Sequence, residues 1–566
     1  MKPRVVAAIF LVLFVAMPVI PGSVSATPDD LSAEAGILSA RAPLASAPAG
    51  PQQARHPARL PAGGGPFVAA VGTEPPGLDP ALYWDSAVHL VTSQVYETLV
   101  NTTPGGSQVV PGLAESWSVS LDGLTWTFNL RGGVEFHDGT TLDAAAVAYN
   151  FERWWDPAHP YHIGSFDYFG GVFRGFRGDA GCLLNAVNTV GASQVLLTLT
   201  EPYSPLPSVL AMPSLAIASP DAIQSGTLDT APVGTGPFRF VEWVSADHVA
   251  LEDNPDYWGV GPHLDSLVFD VVADEDDRFI ALQGNSAQSV GDLSPSYIAQ
   301  VSADPDLAAS WRPAMGIGYL GMNRSHTPLD NTLVRQAIAH AIDRESLIAD
   351  LYNAGDQIAG QFLPPAILGY DPSIVDYTYD PPLASSLLTL AGYGSGFSTT
   401  LSFRDVLRAY LPNPTATAAA IQEDLLAVGI DTTVTQYESG EFIDKWVNGE
   451  LDLYLLGWTQ DFPHPDNYFT PILCDGYLGF GPRDEVLCDI MASAREEEDP
   501  DDQRVFYEWA SGRVHDTLPL LPIVHPRSLL ATRRTVHGLV PALGGIELFK
   551  DVWLASAWVH LPLVMR

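Results

Sequence analysis

The chain has 566 residues and is strongly acidic, with 66 Asp and Glu against 27 Lys and Arg and a formal net charge of −39. A protein that binds nucleic acid needs clustered Lys and Arg to neutralise phosphates, so this composition excludes nucleic acid as a partner. Because a single core stops growing at roughly 250 to 300 residues, the length predicts two or three domains.

The N-terminus has the order of features of a secretory signal peptide. Lys2 and Arg4 precede the apolar run 5–20, and the small residues 24–26 follow. We expect cleavage near Ala26 and an exported, periplasmic or extracytoplasmic protein, whose net charge becomes −41 because two cations and no acids are removed. The alternative is an uncleaved N-terminal anchor, although the run is interrupted by Pro18 and is shorter than the about 20 residues of a spanning helix.

A flexible linker is predicted over residues 27–65, which are rich in Ala, Pro, Ser and Gly and lack apolar periodicity. Folded structure should begin at Pro66, with a first strand over 67–71. An apolar helix should follow through Val88, Val91, Val95 and Leu99.

Residues 111–151 combine a turn, a strand and a helix in one unit. Asp122-Gly123 is a turn pair, and Trp126, Phe128 and Leu130 alternate with polar residues as in a half-buried strand. Leu142, Ala146 and Tyr149 are then spaced as on one face of a helix.

Helices and strands also alternate in the second half of the chain. A helix is predicted over 331–352 with Asp330 or Asn331 as N-cap, and another over 415–428 is followed by a strand over 432–436. The continuous apolar run 451–457 is typical of a strand that is covered on both faces. This alternation indicates α/β architecture.

The sequence offers no catalytic or metal-binding constellation. His137-Asp138 has no nucleophile or third partner, and His159, His162 and His464 lack the spacing of a metal site. We therefore expect no enzyme activity, no metal and no cofactor. An extracellular hydrolase is the less favoured alternative, since a glycosidase would need a defined pair of carboxylates that the sequence does not single out.

Several landmarks occur in the order typical of one family. They are ESWSVSLDGLTWTFNLRGGVEFHDGT, VGTGPFRF, YLGMN with NTLVRQAIAHAIDRESLI, LLGWTQDFPHPDNYF and PLLPIVHP. Over about residues 66–560 the chain resembles the extracytoplasmic solute-binding proteins of ABC importers, in the dipeptide and oligopeptide family (family 5). The resemblance implies a two-lobed α/β fold, periplasmic-binding-protein-like, of type II and the large class, with an extra α/β domain inserted in lobe one.

The resemblance also implies domain boundaries. Lobe one is expected at 66–105, 233–318 and 536–566, the inserted domain at 106–232, and lobe two at 319–535.

A free peptide is a zwitterion, so a site that closes over it should offer one cation and one carboxylate. By resemblance, Arg408 receives the ligand carboxylate and Asp461 the ligand α-amino group. A guanidinium suits the first role because it can bind a carboxylate with two parallel hydrogen bonds. The competing interpretations are an ordinary surface arginine and an ordinary turn aspartate. Trp458 is a further candidate, which could pack on the ligand backbone. Tyr83, Trp84, Asp85 and Asn323 are candidates to line the cleft, with a structural role as the competing interpretation.

The function implied by the resemblance is capture of short peptides, dipeptides above all, by a monomer that delivers them to the transmembrane subunits of an ABC permease. Relatives that carry oligosaccharides, nickel chelates or other solutes keep those ligands open as alternatives. Similar dipeptide binders have a disulfide at the place of Cys474 and Cys488, and closing that loop would contribute roughly 3 kcal/mol. Cys182 is expected to be a buried free cysteine.

Overall fold

The structure is a computed structural model that describes residues 65–83 and 85–555. The predicted signal peptide, nearly all of the predicted linker, and Trp84 lie outside the described residues. No helix within these ranges is long and apolar enough to cross a membrane.

The strands of the described residues, in chain order, are β1 (Pro66–Val71), β2 (Val100–Thr102), β3 (Val109–Pro111), β4 (Ala114–Val119), β5 (Thr125–Leu130), β6 (Leu184–Val190), β7 (Gln194–Leu199), β8 (Phe238–Val244), β9 (His248–Asp253), β10 (Ser266–Val271), β11 (Ser289–Leu293), β12 (Leu307–Trp311), β13 (Gly316–Met322), β14 (Gln357–Ile358), β15 (Phe397–Arg404), β16 (Ile430–Tyr437), β17 (Leu453–Thr459), β18 (Leu520–His525), β19 (Leu529–Arg533), β20 (Val536–His537) and β21 (Trp553–Leu554).

The α-helices of the same ranges are α1 (Ser86–Val95), α2 (Ala144–Trp155), α3 (Asp167–Val172), α4 (Leu206–Leu210), α5 (Pro220–Ser225), α6 (Glu275–Gln283), α7 (Ile298–Ala303), α8 (Thr332–Ala341), α9 (Arg344–Leu351), α10 (Pro381–Leu390), α11 (Pro414–Ala427), α12 (Ser439–Val447), α13 (Asp466–Phe469), α14 (Glu485–Glu496) and α15 (Pro500–Thr517). Short 3-10 turns span Pro213–Leu215, Pro295–Tyr297 and Leu543–Gly545, and Thr470–Cys474 forms a π-helical turn.

Lobe one is built on a seven-stranded sheet with the order β12-β19-β11-β1-β10-β9-β8. The central strand β1 pairs in parallel with β10 on one side and β11 on the other. The direction of chain progression therefore reverses around β1, and the carboxyl ends of these three strands meet at one edge. Such an edge is where ligands bind to open α/β sheets.

Lobe two is built on a six-stranded sheet with the order β14-β18-β13-β17-β15-β16. Strand β13 is antiparallel to both of its neighbours, β17 and β18, and β15 is parallel to β17. Strands β15, β17 and β18 therefore all end at the same edge. Every residue of β13 and β18 is buried, because helices and loops cover both faces of the sheet.

The inserted domain contains an antiparallel sheet with the order β4-β5-β7-β6. The predicted strand around Trp126 and Phe128 is confirmed as β5, in which buried and half-buried residues alternate. Helix α2, which Asp143 caps through a hydrogen bond from Ala146 N, contributes to the apolar core that the sheet also faces.

The chain passes between the two large sheets at residues 312–315 and again at 526–528, between β12 and β13 and between β18 and β19. The predicted boundaries between lobe one and lobe two, after residue 318 and before residue 536, both need correction. Residues 316–318 belong to β13 in the six-stranded sheet, and β19 pairs with β11 and β12 in the seven-stranded sheet. The segment 529–533 was assigned to lobe two because its apolar pattern predicts a strand without indicating which sheet it joins.

The single helix predicted over 331–352 is wrong in one respect, because it is two helices, α8 and α9. Ile342 is extended, with φ −93° and ψ 122°, and Asp343 begins the second helix by accepting a hydrogen bond from Ser346 N. Arg344 is buried next to this break, where it bonds the carbonyls of Ala359 and Pro522. These distant partners fix the break, and the apolar periodicity continues across it.

Candidate ligand-binding cleft

Two of the predicted ligand-binding segments follow neighbouring parallel strands at the same edge of lobe two. The loop that carries Arg408 follows β15, and Asp461 comes two residues after β17. Tyr410, in the Arg408 loop, lies against Gly318 and Gly457, where an added Cβ would come within 2.5 Å of its atoms. The two segments are therefore close along this edge, which also holds both crossings between the lobes.

Asp461 is held in position by Asn467. Its backbone N–H donates to Oδ1 of Asn467 at 2.8 Å, and the Asn467 amide donates back to Oδ2 of Asp461 at 3.2 Å. Burial raises the pKa of the Asp461 carboxyl, and the hydrogen bond from Asn467 offsets only part of this effect. Among the described residues no ion pair joins Asp461 to a cation. Binding of a cationic group to this carboxylate would therefore be strongly favourable.

A cavity of about 400 Å³ lies against Asp461. Asp461 and Pro463 of lobe two line it, together with Glu97, Tyr257 and Lys550 from the lobe-one side. This volume is in the range of ligand pockets, roughly 300 to 1,000 Å³. Glu97 is satisfied within the protein by hydrogen bonds from Thr235, Tyr257 and Trp258 at 2.7 to 2.8 Å.

Sequence analysis missed two residues of this region: Tyr168 of α3, which lies near Asp461, and His89 of α1, whose ring lies near that of Tyr168. Burial and the charge of Asp461 raise the pKa of Tyr168 to about 12, and the rings of His89 and Tyr168 are 6.0 Å apart. Burial lowers the pKa of His89 to about 4, so this imidazole is neutral at physiological pH. No local pattern marks either residue, because α1, α3 and the end of β17 are distant in sequence.

Arg408 closes a tight turn but does not line the cavity that Asp461 lines. Its backbone pairs with that of Leu411, and its side chain is exposed. Its role toward a ligand carboxylate therefore stays a prediction. In this role, the loop that carries Arg408 would contact the ligand from the same sheet edge as Asp461.

Trp458 and Asn323 occupy opposite ends of the lobe-two sheet. Trp458 is half-buried beside Asp461, with its indole N–H 3.4 Å from Oδ1 of Asn467. Asn323 follows the far end of β13, where it donates to the Gly449 carbonyl at 2.8 Å and accepts from Ser325 N at 2.9 Å. Since β13 and β17 are antiparallel, Asn323 is not brought to the Asp461 edge, and its completely buried amide has a structural role.

The lobe-one candidates lie between β1 and α1. The Tyr83 hydroxyl donates to the Asp229 carboxylate at 2.9 and 3.0 Å, and burial together with this contact raises the pKa of Tyr83 to about 12. Asp85 is the N-cap of α1 and accepts from Ala87 N at 2.8 Å. Both side chains are thus occupied by structural bonds, and Trp84 lies outside the described residues.

Cys474 and Cys488 form a disulfide bond with a Cα–Cα distance of 5.6 Å. It joins the π-helical turn to α14. Cys182 is free and buried in the inserted domain. The predicted disulfide pair and the predicted free cysteine are thus both present in the structure.

The sequence model for the middle part of the bacterial extracellular solute-binding proteins of family 5 matches residues 108–479. The chain belongs to this family. It is accordingly a binding protein of the kind that serves ABC transporters, and not an enzyme.

Similar proteins support the family and the fold. The dipeptide-binding protein of Escherichia coli is 33% identical over 500 residues, which cover 84% of this chain and 92% of the relative. Heme-binding protein A of Haemophilus influenzae is 31% identical over 511 residues, covering 86% and 92%. The solved structure of HbpA2 from Haemophilus parasuis superposes with a TM-score of 0.83 at 31% identity and covers 87% of this chain and 100% of its own. The predicted two-lobed α/β fold is confirmed.

Proposed function

We propose that this family 5 protein captures short peptides, dipeptides above all, between its two lobes and delivers them to the transmembrane subunits of an ABC permease. It would do so as an exported monomer after cleavage near Ala26. The observation that carries the proposal is the half-buried carboxylate of Asp461, which lines an inter-lobe cavity and forms no ion pair with a cation among the described residues.

A buried carboxylate is costly unless it is paired, and the α-ammonium group of a peptide supplies the missing charge. Because that group is positive at physiological pH, it would lower the pKa of Asp461 again and favour closure around the ligand. Arg408, on the neighbouring loop, is proposed to bind the ligand carboxylate with its planar fork. The dipeptide-binding relative in Escherichia coli supports this ligand class.

A second candidate ligand is haem, because a heme-binding relative is nearly as similar to this chain as the dipeptide-binding one. Haem has carboxylates but no ammonium group, so it would gain nothing from Asp461. A carboxylate that forms no ion pair with a cation among the described residues therefore favours a peptide over haem.

The test is a thermal-shift screen of the purified protein with dipeptides, glucan oligosaccharides, a nickel chelate and haem. We expect dipeptides with free termini to raise the melting temperature by several degrees, since a ligand at 100 times its Kd adds about 2.7 kcal/mol to stability. Stabilisation by one of the other ligands, with no response to any dipeptide, would contradict the proposal.

A further inference from the structure

A second cavity, of about 270 Å³, lies at the carboxyl edge of the lobe-one sheet. It is bordered by the ends of the three strands that meet at the reversal around β1, at Val71, Val271 and Asp292. This is the position at which open α/β sheets bind ligands. The cavity does not include Asp461 and is distinct from the one described above.

Most of the surface of this second cavity is apolar, and its charged groups are already paired. Arg312 and Glu547 are 4% and 3% exposed and form two hydrogen bonds, of 2.6 and 2.8 Å. Asp292 accepts from Gly72 N at 2.8 Å and forms an ion pair with Arg278 at 3.1 Å. The remaining walls are side chains such as those of Val71, Leu90, Phe269, Val271 and Phe549. A charged ligand group would have to compete with existing pairs, whereas an apolar group would not.

The second cavity adjoins the candidate cleft. Ser86 and Ala87, which line it, directly follow Asp85, and His89 lies on the same first turns of α1. Residues of the segment 542–550 line both cavities. Gly545, Glu547 and Phe549 border the lobe-one cavity, and Ile546, Leu548 and Lys550 border the one that Asp461 lines.

We propose that the lobe-one cavity is a subsite for one bulky apolar side chain of the ligand, so that the protein prefers peptides that contain leucine, methionine or phenylalanine over those with only glycine or charged residues. This inference rests on the proposed function. Its physical basis is that full burial of a side chain of this size is favoured by at least about tenfold in affinity.

Ala87 allows a direct test because it lines the cavity and is the second residue of a helix. Ala87→Phe should fill the space. Ala145 is the matched control, since it is the second residue of α2, is exposed, and also follows an Asp N-cap. Leu90→Ala should enlarge the same cavity and serves as a second variant if Ala87→Phe folds poorly.

The measurement is calorimetry of the full chain and the three variants with glycylglycine and with the leucine, phenylalanine and aspartate members of a dipeptide panel. We expect the wild type and Ala145→Phe to bind apolar dipeptides at least tenfold more tightly than glycylglycine. Ala87→Phe should lose most of this difference while keeping its affinity for glycylglycine, and Leu90→Ala should shift the preference toward the larger side chain.

The inference is overturned if the wild type binds dipeptides but shows no apolar preference, or if Ala87→Phe and Leu90→Ala both leave the preference unchanged. If the wild type binds no dipeptide at all, the proposed function fails first and the subsite fails with it. The two failures are therefore distinguishable.

Discussion

Tyr203 of the inserted domain donates a hydrogen bond from its hydroxyl to Oδ2 of Asp466 in lobe two, over 3.4 Å. Arg495 binds the same carboxylate through two bonds of 2.8 and 3.1 Å. The backbone N–H of the neighbouring Ser204 donates a hydrogen bond to the Arg495 carbonyl at 2.9 Å. Phe462, next to Asp461, is buried in the apolar core of the inserted domain. The position of Asp461 is therefore coupled to the contact between the inserted domain and lobe two.

Removing the Tyr203 hydroxyl should weaken ligand binding indirectly, by disfavouring closure of the lobes, and not through a lost contact with the ligand. A hydrogen bond of this kind contributes about 1 kcal/mol, and apparent affinity falls with the fraction of molecules in the binding-competent state. We expect Tyr203→Phe to weaken dipeptide binding about three- to fivefold by calorimetry. Tyr161→Phe, in the same domain, is the control. Equal affinity in both variants would show that this contact does not bias closure.

Arg408→Ala should weaken the binding of dipeptides with a free carboxylate by roughly 2 kcal/mol or more, because it removes one partner of a desolvated charge pair. A dipeptide amide, which lacks that charge, should lose much less. Arg534→Ala is the control, since Arg534 is also exposed and lies in lobe one. If the free acid and the amide are affected equally by Arg408→Ala, Arg408 does not bind the carboxylate.

Acid should destabilise the fold through its buried histidines. Burial lowers the pKa of His89, His137, His464 and His525 from 6.5 to about 4. Between pH 6.5 and 4 these histidines bind more protons in the unfolded chain than in the folded chain. Their contribution to the free energy of unfolding therefore falls as the pH decreases through this range. Carboxyls such as Asp461 and Asp356, whose pKa burial raises, act in the opposite direction.

A single variant separates these contributions. His525 lies 3.0 Å from the Gly316 carbonyl through Nδ1, and an asparagine amide can replace that bond without titrating. In urea unfolding between pH 6.5 and 4, His525→Asn should reduce the slope of unfolding free energy against pH by about 1.4 kcal/mol per unit. Equal slopes for wild type and variant would contradict the assignment of a neutral His525 in the folded protein.

The Cys474–Cys488 disulfide should stabilise the chain by restricting its unfolded state. Replacing both cysteines by alanine should lower the free energy of unfolding by roughly 3 kcal/mol, as expected for a loop of this length. Urea titration under oxidising conditions measures the difference. The Cys182→Ala variant is the comparison, because that cysteine forms no disulfide. An unchanged midpoint for the double variant would count against this stabilisation.

Local sequence patterns predicted most of the individual elements. The alternation around Trp126 and Phe128 identified β5, and the apolar run at 451–457 identified β17 within two residues at each end. These elements are determined by which side chains must be buried, and a spacing of two or of about 3.6 residues expresses that directly.

Features that depend on distant contacts were not predicted from the sequence. The break at Asp343 depends on partners of Arg344 far along the chain, and the sheet joined by β19 depends on pairing with β11 and β12. In the same way, Tyr168 approaches Asp461, and His89 approaches Tyr168, only because segments distant in sequence meet there. The position of Asp461 after a buried strand was predictable, whereas the neighbours of its carboxylate were not.

The decisive measurement is calorimetry of the wild type and Asp461→Asn with one dipeptide in its free and N-acetylated forms. The amide preserves the bonding with Asn467 and removes only the charge. We predict that the wild type binds the free dipeptide at least 100-fold more tightly than the acetylated one, and that Asp461→Asn abolishes this difference. Undiminished binding of the free dipeptide by Asp461→Asn would contradict the role of this carboxylate as the ammonium partner.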